Sequence, residues 1–112
     1  MGGVFPLPLG RAGQTGFDRA ELNQILNLYG RMVAAGHWRD YAIDLERDYA
    51  AFSAFRRAAE RPEIRIEKRP VLRTKQGMWA LIGEAGQVLK RGHELTGVLA
   101  PVERRLIKIA GD

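Results

Sequence analysis

The segment Glu63-Ile64-Arg65-Ile66-Glu67-Lys68-Arg69 decides the fold class, because its apolar and charged side chains alternate with the period of a half-buried β-strand. Such a strand needs antiparallel neighbours. The preceding residues 49–59 allow two interpretations. Their alanines favour a helix, whereas Phe52-Ser53-Ala54-Phe55-Arg56 before a turn at Arg61-Pro62 favours a hairpin strand. We predict the strand, because it then provides an antiparallel neighbour for the alternating segment 63–69.

Three further strands complete the predicted sheet. Residues 41–46 alternate with the same period of two and predict a strand on the N-terminal side. Pro70 ends the alternating segment, and residues 78–82 then form an apolar run of strand length. A short turn leads into residues 87–91, which predict a second hairpin. The sheet is therefore expected to be an antiparallel meander of about five strands.

An amphipathic helix is predicted before the sheet. Asp18 and Glu21 have the spacing of a capping box, and Gly36 is placed to end the helix. An apolar stripe at helical spacing predicts the face that covers the core. The stripe consists of Leu22, Ile25, Leu26, Tyr29, Met32 and Val33.

The C-terminal part predicts one or two short helical pieces, at residues 93–99 and 101–109. Pro101 fits the first turn of the second piece, where its missing N–H costs little. The expected fold is α+β: a long N-terminal amphipathic helix packed on the meander, with a short C-terminal helix.

Length and composition predict one domain. A chain of 112 residues with 46% hydrophobic residues can bury one core. Five glycines and two prolines among the first 17 residues predict a flexible arm over residues 1–17 and a domain over 18–112. The chain has no cysteine, which excludes disulfides and thiolate zinc sites and favours a reducing, cytoplasmic compartment. No apolar run approaches the length of a membrane span.

Positive charge is concentrated in one region. The net charge is +5, and residues 56–91 hold ten basic and four acidic side chains. We predict that this region forms an Arg/Lys-rich sheet surface that engages an acidic partner, a protein or a larger assembly. The candidate partner-binding residues are Arg56, Arg57, Arg65, Arg69, Arg73, Lys75, Lys90 and Arg91.

Two alternatives to this prediction remain open. The same surface would suit the phosphates of RNA or DNA, although no aromatic pattern for stacking bases accompanies it. The alternating signs of Glu63, Arg65, Glu67 and Arg69 would also suit cross-strand ion pairing alone. The oligomeric state is not fixed by the sequence.

Nothing in the sequence indicates catalysis, a metal or a cofactor. His37 and His93 lie far apart and lack a second ligand at metal-binding spacing. No nucleophile motif accompanies either histidine, so we predict that the protein is not an enzyme. The acidic residues Asp44 and Glu46 are expected on the solvated face of their strand.

Blocks spread over about two-thirds of the chain, from Phe17 to His93, carry a resemblance to a known family. They include 21–23, 25–33, 38–44, 52–53, 55–57, 60–62, 65–68 and 89–93. In these blocks the chain resembles short bacterial proteins grouped as domain of unknown function 2794. The resemblance implies a single intact domain and brings no activity, cofactor or catalytic residue with it.

Overall fold

Two helices lie on one face of a five-stranded antiparallel sheet. The structure, a computed structural model, describes residues 13–111, with side chains through residue 107. The elements in chain order are α1 (Arg19–Ala34), β1 (Asp40–Leu45), β2 (Ala50–Phe55), β3 (Ile64–Lys68), a short 3-10 turn (Pro70–Leu72), β4 (Trp79–Gly83), β5 (Val88–Gly92) and α2 (Leu95–Gly111). The strands lie in the order β1-β2-β3-β4-β5, so every neighbour in space is a neighbour in sequence. The predicted α+β class and five-stranded meander are confirmed.

The ambiguous segment 49–59 contains a strand, as predicted. In β2, Phe52 lies opposite Ile43 of β1 and Ile66 of β3. Pairing on both sides satisfies the backbone groups of β2 and buries most of its residues. This tertiary pairing overrides the helix propensity of the alanines.

The core lies between the helices and the sheet. Both helices contribute side chains that are almost fully buried, and they pack on Phe52, Ile66 and Leu81 of the three central strands. The helix residues are Leu22, Ile25, Leu28 and Met32 from α1 and Leu95, Val98, Leu99 and Val102 from α2. Burial of each large apolar side chain stabilises the fold by about 1.5–3 kcal/mol.

The length predicted for the N-terminal helix is wrong, because α1 has only 16 residues. The predicted capping box is present: the Asp18 carboxylate accepts from the Glu21 amide, and the Glu21 carboxylate accepts from the Asp18 amide. At the other end Ala35 caps the helix, and Gly36 adopts φ 85°. This left-handed conformation reverses the chain, so α1 cannot extend and β1 begins at Asp40.

The C-terminal residues form one helix, α2, of 17 residues with Pro101 inside it, rather than two separate pieces. A proline in a helix interior costs about 3 kcal/mol and leaves the carbonyl four residues earlier without its donor. That carbonyl belongs to Gly97, which is exposed and can bind water. Val98, Leu99 and Val102 are buried around the proline, so packing holds the two predicted pieces as one helix.

Aromatic rings fix α1 on the β1–β2 side of the sheet. Tyr29 of α1 packs against Trp38, Tyr41 and Phe52, with ring centroids 6.0, 5.0 and 5.9 Å away. Burial raises the pKa of Tyr29 above its usual 10.0, and the carboxylate of Asp40 raises it further. The hydroxyl therefore stays neutral to higher pH than in an unfolded chain.

Contacts hold the described residues that precede α1. The amide of Thr15 donates to the Glu46 carbonyl at 2.7 Å, and Phe17 is buried with its ring stacked on Trp79. The rest of the predicted arm, residues 1–12, lies outside the described residues. Within the described part of the chain, neither helix is long and apolar enough to cross a membrane.

Candidate partner-binding surface

The sheet face opposite the helices, here called the outer face, carries the candidate surface. No described helix or strand covers it, since both helices pack on the other side. Its centre is lined by small residues: Ala51, Ser53 and Ala80 project there from β2 and β4. All three have at most 5% of their surface exposed. Larger side chains around them must therefore lean over the small residues.

Those larger side chains form a cluster around β3, here called the β3 cluster. It consists of Arg65 and Glu67 of β3, Arg69 directly after that strand, and Tyr49 directly before β2. Glu67 accepts from Nε of Arg69 at 2.8 Å and from Nη2 of Arg65 at 3.4 Å. The two guanidinium groups lie 4.7 and 5.3 Å from the centre of the Tyr49 ring. The carboxylate is largely buried, with 9% of its side chain exposed, and its contacts with the two arginines offset the cost of burying its charge.

The ion pairs of the β3 cluster run along one strand. Residues two apart on a strand project to the same face, which brings Arg65, Glu67 and Arg69 together. Cross-strand pairing, the alternative drawn from the alternating signs, does not describe this cluster. Glu63 lies apart from it, because its carboxylate binds the indole Nε1 of Trp38 and the guanidinium of Arg105.

Arg91 extends the basic part of the outer face. It lies opposite Ala80 in the β4–β5 ladder, and Ala80 lies opposite Glu67. The β3–β5 half of the face thus holds three arginines against one glutamate, a net charge of +2. Asp40 and Asp44 project from β1 on the same face. The outer face is therefore basic on the β3–β5 half and acidic along the β1 edge.

The other predicted site residues do not join the β3 cluster. Lys90 lies opposite Leu81, whose side chain is in the core, so it projects to the helix side at the edge of the sheet. Arg56 and Arg57 lie in the β2–β3 loop, where Arg56 pairs with Glu84 at 2.7 Å. Arg73 and Lys75 are exposed in the β3–β4 connection, at the opposite end of the sheet from that loop.

Lys68 shows why charge along the sequence does not map directly onto a surface. It projects to the helix side of β3, where its Nζ lies 2.6 Å from the Glu21 carboxylate and 2.8 Å from the Gly16 carbonyl. Its side chain is only 12% exposed. Lys68 therefore ties β3 to the start of α1 and leaves the basic surface.

Sequence reasoning missed two features of the charged surfaces. The sequence pattern places Tyr49 in a segment with two interpretations, yet its ring supports both arginines of the β3 cluster. Charge clustering along the sequence does not identify Arg39, yet it lines a cleft with Arg57 and His37. Tyr49 lies two residues before Ala51, so the two side chains project to the same face of the sheet. This spacing is the signal in the sequence that places Tyr49 on the outer face.

Metal chemistry has no support in the described residues, which contain no group of three or more His, Asp or Glu side chains placed to hold an ion. His37 lies beside the cleft named above, and His93 is exposed between β5 and α2.

Comparison with known proteins agrees with the resemblance found in the sequence. No curated protein and no solved structure matches the chain. A family model described as "Protein of unknown function (DUF2794)" matches residues 15–99, a range that runs from the segment before α1 into α2 and includes the whole sheet. The chain therefore belongs to this family, whose function is unknown.

Proposed function

We propose that the protein is a non-catalytic interaction module that engages an acidic protein partner through the β3–β5 half of its outer face. The observation that carries the proposal is the excess of arginine on an uncovered sheet face: Arg65, Arg69 and Arg91 against Glu67. A carboxylate-rich partner would balance this charge.

The arginines of the β3 cluster retain donors for such a partner. Contacts to Glu67 use only Nη2 of Arg65 and Nε of Arg69, whereas each guanidinium carries five N–H donors. Nε of Arg65 is buried without a hydrogen-bond partner among the described residues, so the donors that remain for a partner are on the Nη atoms. The ring of Tyr49 and the carboxylate of Glu67 hold both guanidinium groups in place. The two arginine side chains therefore lose less conformational entropy when a partner binds.

A bound segment would meet charged side chains at the centre of the face, because Ala51, Ser53 and Ala80 are covered and at most 5% exposed. The few exposed aromatic rings argue against nucleic acid as the partner. Base stacking needs exposed aromatic rings, and Tyr49 is half-buried beneath two guanidinium groups.

The test is a titration of the ¹⁵N-labelled full chain with a hexaglutamate peptide at near-physiological salt. We expect saturable shifts of the backbone amides at residues 65, 67, 69 and 91. A double variant, Arg65→Gln with Arg91→Gln, should weaken binding about tenfold, since each lost charge-assisted hydrogen bond is worth about 1.5–3 kcal/mol and only part is realised at an exposed site.

The matched control is Arg19→Gln with Arg104→Gln, which removes the same charge from two exposed helix positions. Arg91→Gln alone serves as a second variant, because among the described residues the Arg91 guanidinium makes one hydrogen bond, to the Gly77 carbonyl, and it is long at 3.4 Å. Equal weakening by the control would show non-specific attraction and reject the proposal. If a single-stranded oligonucleotide binds the same residues more tightly than hexaglutamate does, with a steep salt dependence, the partner is a nucleic acid and not a protein.

A further inference from the structure

A second basic site lies at the end of the sheet away from Arg69, in a cleft between the C-terminus of α1 and the β2–β3 loop. Its volume is about 270 Å³. The lining residues are Val33, Gly36, His37, Trp38, Arg39 and Arg57. None of them is acidic, and three carry basic side chains. We propose that this cleft binds a small phosphate monoester, with the phosphate between Arg39 and Arg57.

The two arginines have no competing partner among the residues that the structure describes. Neither guanidinium takes part in an ion pair or a side-chain hydrogen bond there, whereas the neighbouring Arg56 is occupied by Glu84. Arg39 also lines a neighbouring cleft together with Asp40, whose carboxylate accepts from the Tyr41 amide at 2.8 Å and forms no ion pair with Arg39. Two guanidinium groups with unused donors favour a doubly charged phosphate.

The end of α1 does not oppose an anion as strongly as a bare helix C-terminus would. The carbonyls of Arg31, Met32 and Val33 accept from the amides of residues 35–38. These bonds satisfy groups that otherwise form the negative end of the helix dipole. The basic side chains therefore set the sign of the potential in the cleft.

A strained residue follows Arg57 in the β2–β3 loop and lines the neighbouring cleft, next to the proposed site. Ala58 has φ 58°, the one left-handed residue other than glycine among residues 13–111. This conformation costs an alanine about 1–2 kcal/mol, and such strain persists chiefly where a loop conformation serves a function. Here the strained turn follows the arginine that the loop presents to the cleft.

The apolar wall decides between inorganic phosphate and an ester. Val33 is 38% exposed and lines the cleft, so an organic group attached to the phosphate would bury apolar surface against it, whereas Trp38 is already buried at 2% exposed. The cleft also has more room than a phosphate ion alone needs. A monoester should therefore bind more tightly than the free ion.

The test is a titration of the ¹⁵N-labelled full chain with phenyl phosphate and, separately, inorganic phosphate, at ionic strength held constant with sodium chloride. We expect saturable shifts at Gly36, His37, Arg39 and Arg57, with tighter binding of phenyl phosphate. Arg57→Gln should weaken binding about tenfold or more. Arg57 is exposed and has no side-chain contact to lose, so the variant should keep its fold.

The matched control is Arg61→Gln, an exposed arginine of the same loop that does not line the cleft. It should leave the affinity within about twofold, as should Arg91→Gln on the outer face. Shifts that do not saturate, or equal weakening by Arg57→Gln and Arg61→Gln, would overturn the site. Equal affinity for phenyl phosphate and inorganic phosphate would overturn the assignment of a monoester.

Discussion

At the scale of single residues, a φ angle in the left-handed region identifies positions where a residue with a Cβ atom is strained. Ala58 is such a position. Glycine would remove a strain of about 1–2 kcal/mol but would lose about 0.5–1 kcal/mol more conformational entropy on folding. We expect Ala58→Gly to raise the free energy of unfolding by up to about 1 kcal/mol, measured by urea denaturation.

The control for this prediction is Ala59→Gly, one residue further along the same loop, where φ is not positive. It should lower the free energy of unfolding by about 0.5–1 kcal/mol, since glycine there gains flexibility without relieving strain. If both variants destabilise the protein equally, the left-handed conformation of Ala58 is not strained.

At the scale of elements, α2 combines a poor local sequence with good packing. Pro101 leaves the Gly97 carbonyl without a helical donor, and the buried neighbours Val98 and Val102 offset that cost. Pro101→Ala restores the donor and should raise the free energy of unfolding by about 1–3 kcal/mol, with increased helix signal in circular dichroism. A lower stability would mean that the proline ring itself fills the core.

At the scale of the whole molecule, the meander has a rigid centre and two open edges. Strands β2, β3 and β4 hold most of the buried sheet residues, whereas β1 and β5 are largely exposed and pair on one side only. We expect amide hydrogen exchange to be slowest in β2, β3 and β4 and much faster in β1 and β5. Slow exchange throughout β5 would reveal a partner strand at that edge in solution.

The sequence alone determined the features that depend on local periodicity and local hydrogen bonds. Alternation of apolar and charged residues fixed β3, and the spacing of Asp18 and Glu21 fixed the start of α1. Each signal spans only a few residues and depends little on contacts with residues distant in sequence. The strand within residues 49–59 could also be predicted, because the alternating segment that forms β3 needs an antiparallel neighbour.

Only the tertiary structure decided where the charges lie. The β4–β5 register, in which Ala80 lies opposite Arg91 and Leu81 opposite Lys90, places Arg91 on the outer face and Lys90 on the other, and a shift of one residue would have exchanged them. Lys68 shares the helix-side face of β3 with Ile64 and Ile66, and only the fold brings Glu21 of α1 to it there. Helix α2 is continuous across Pro101 because its buried neighbours pack on the sheet. Each of these outcomes depends on contacts between residues distant in sequence, whose energies exceed the local preferences that a sequence pattern reports.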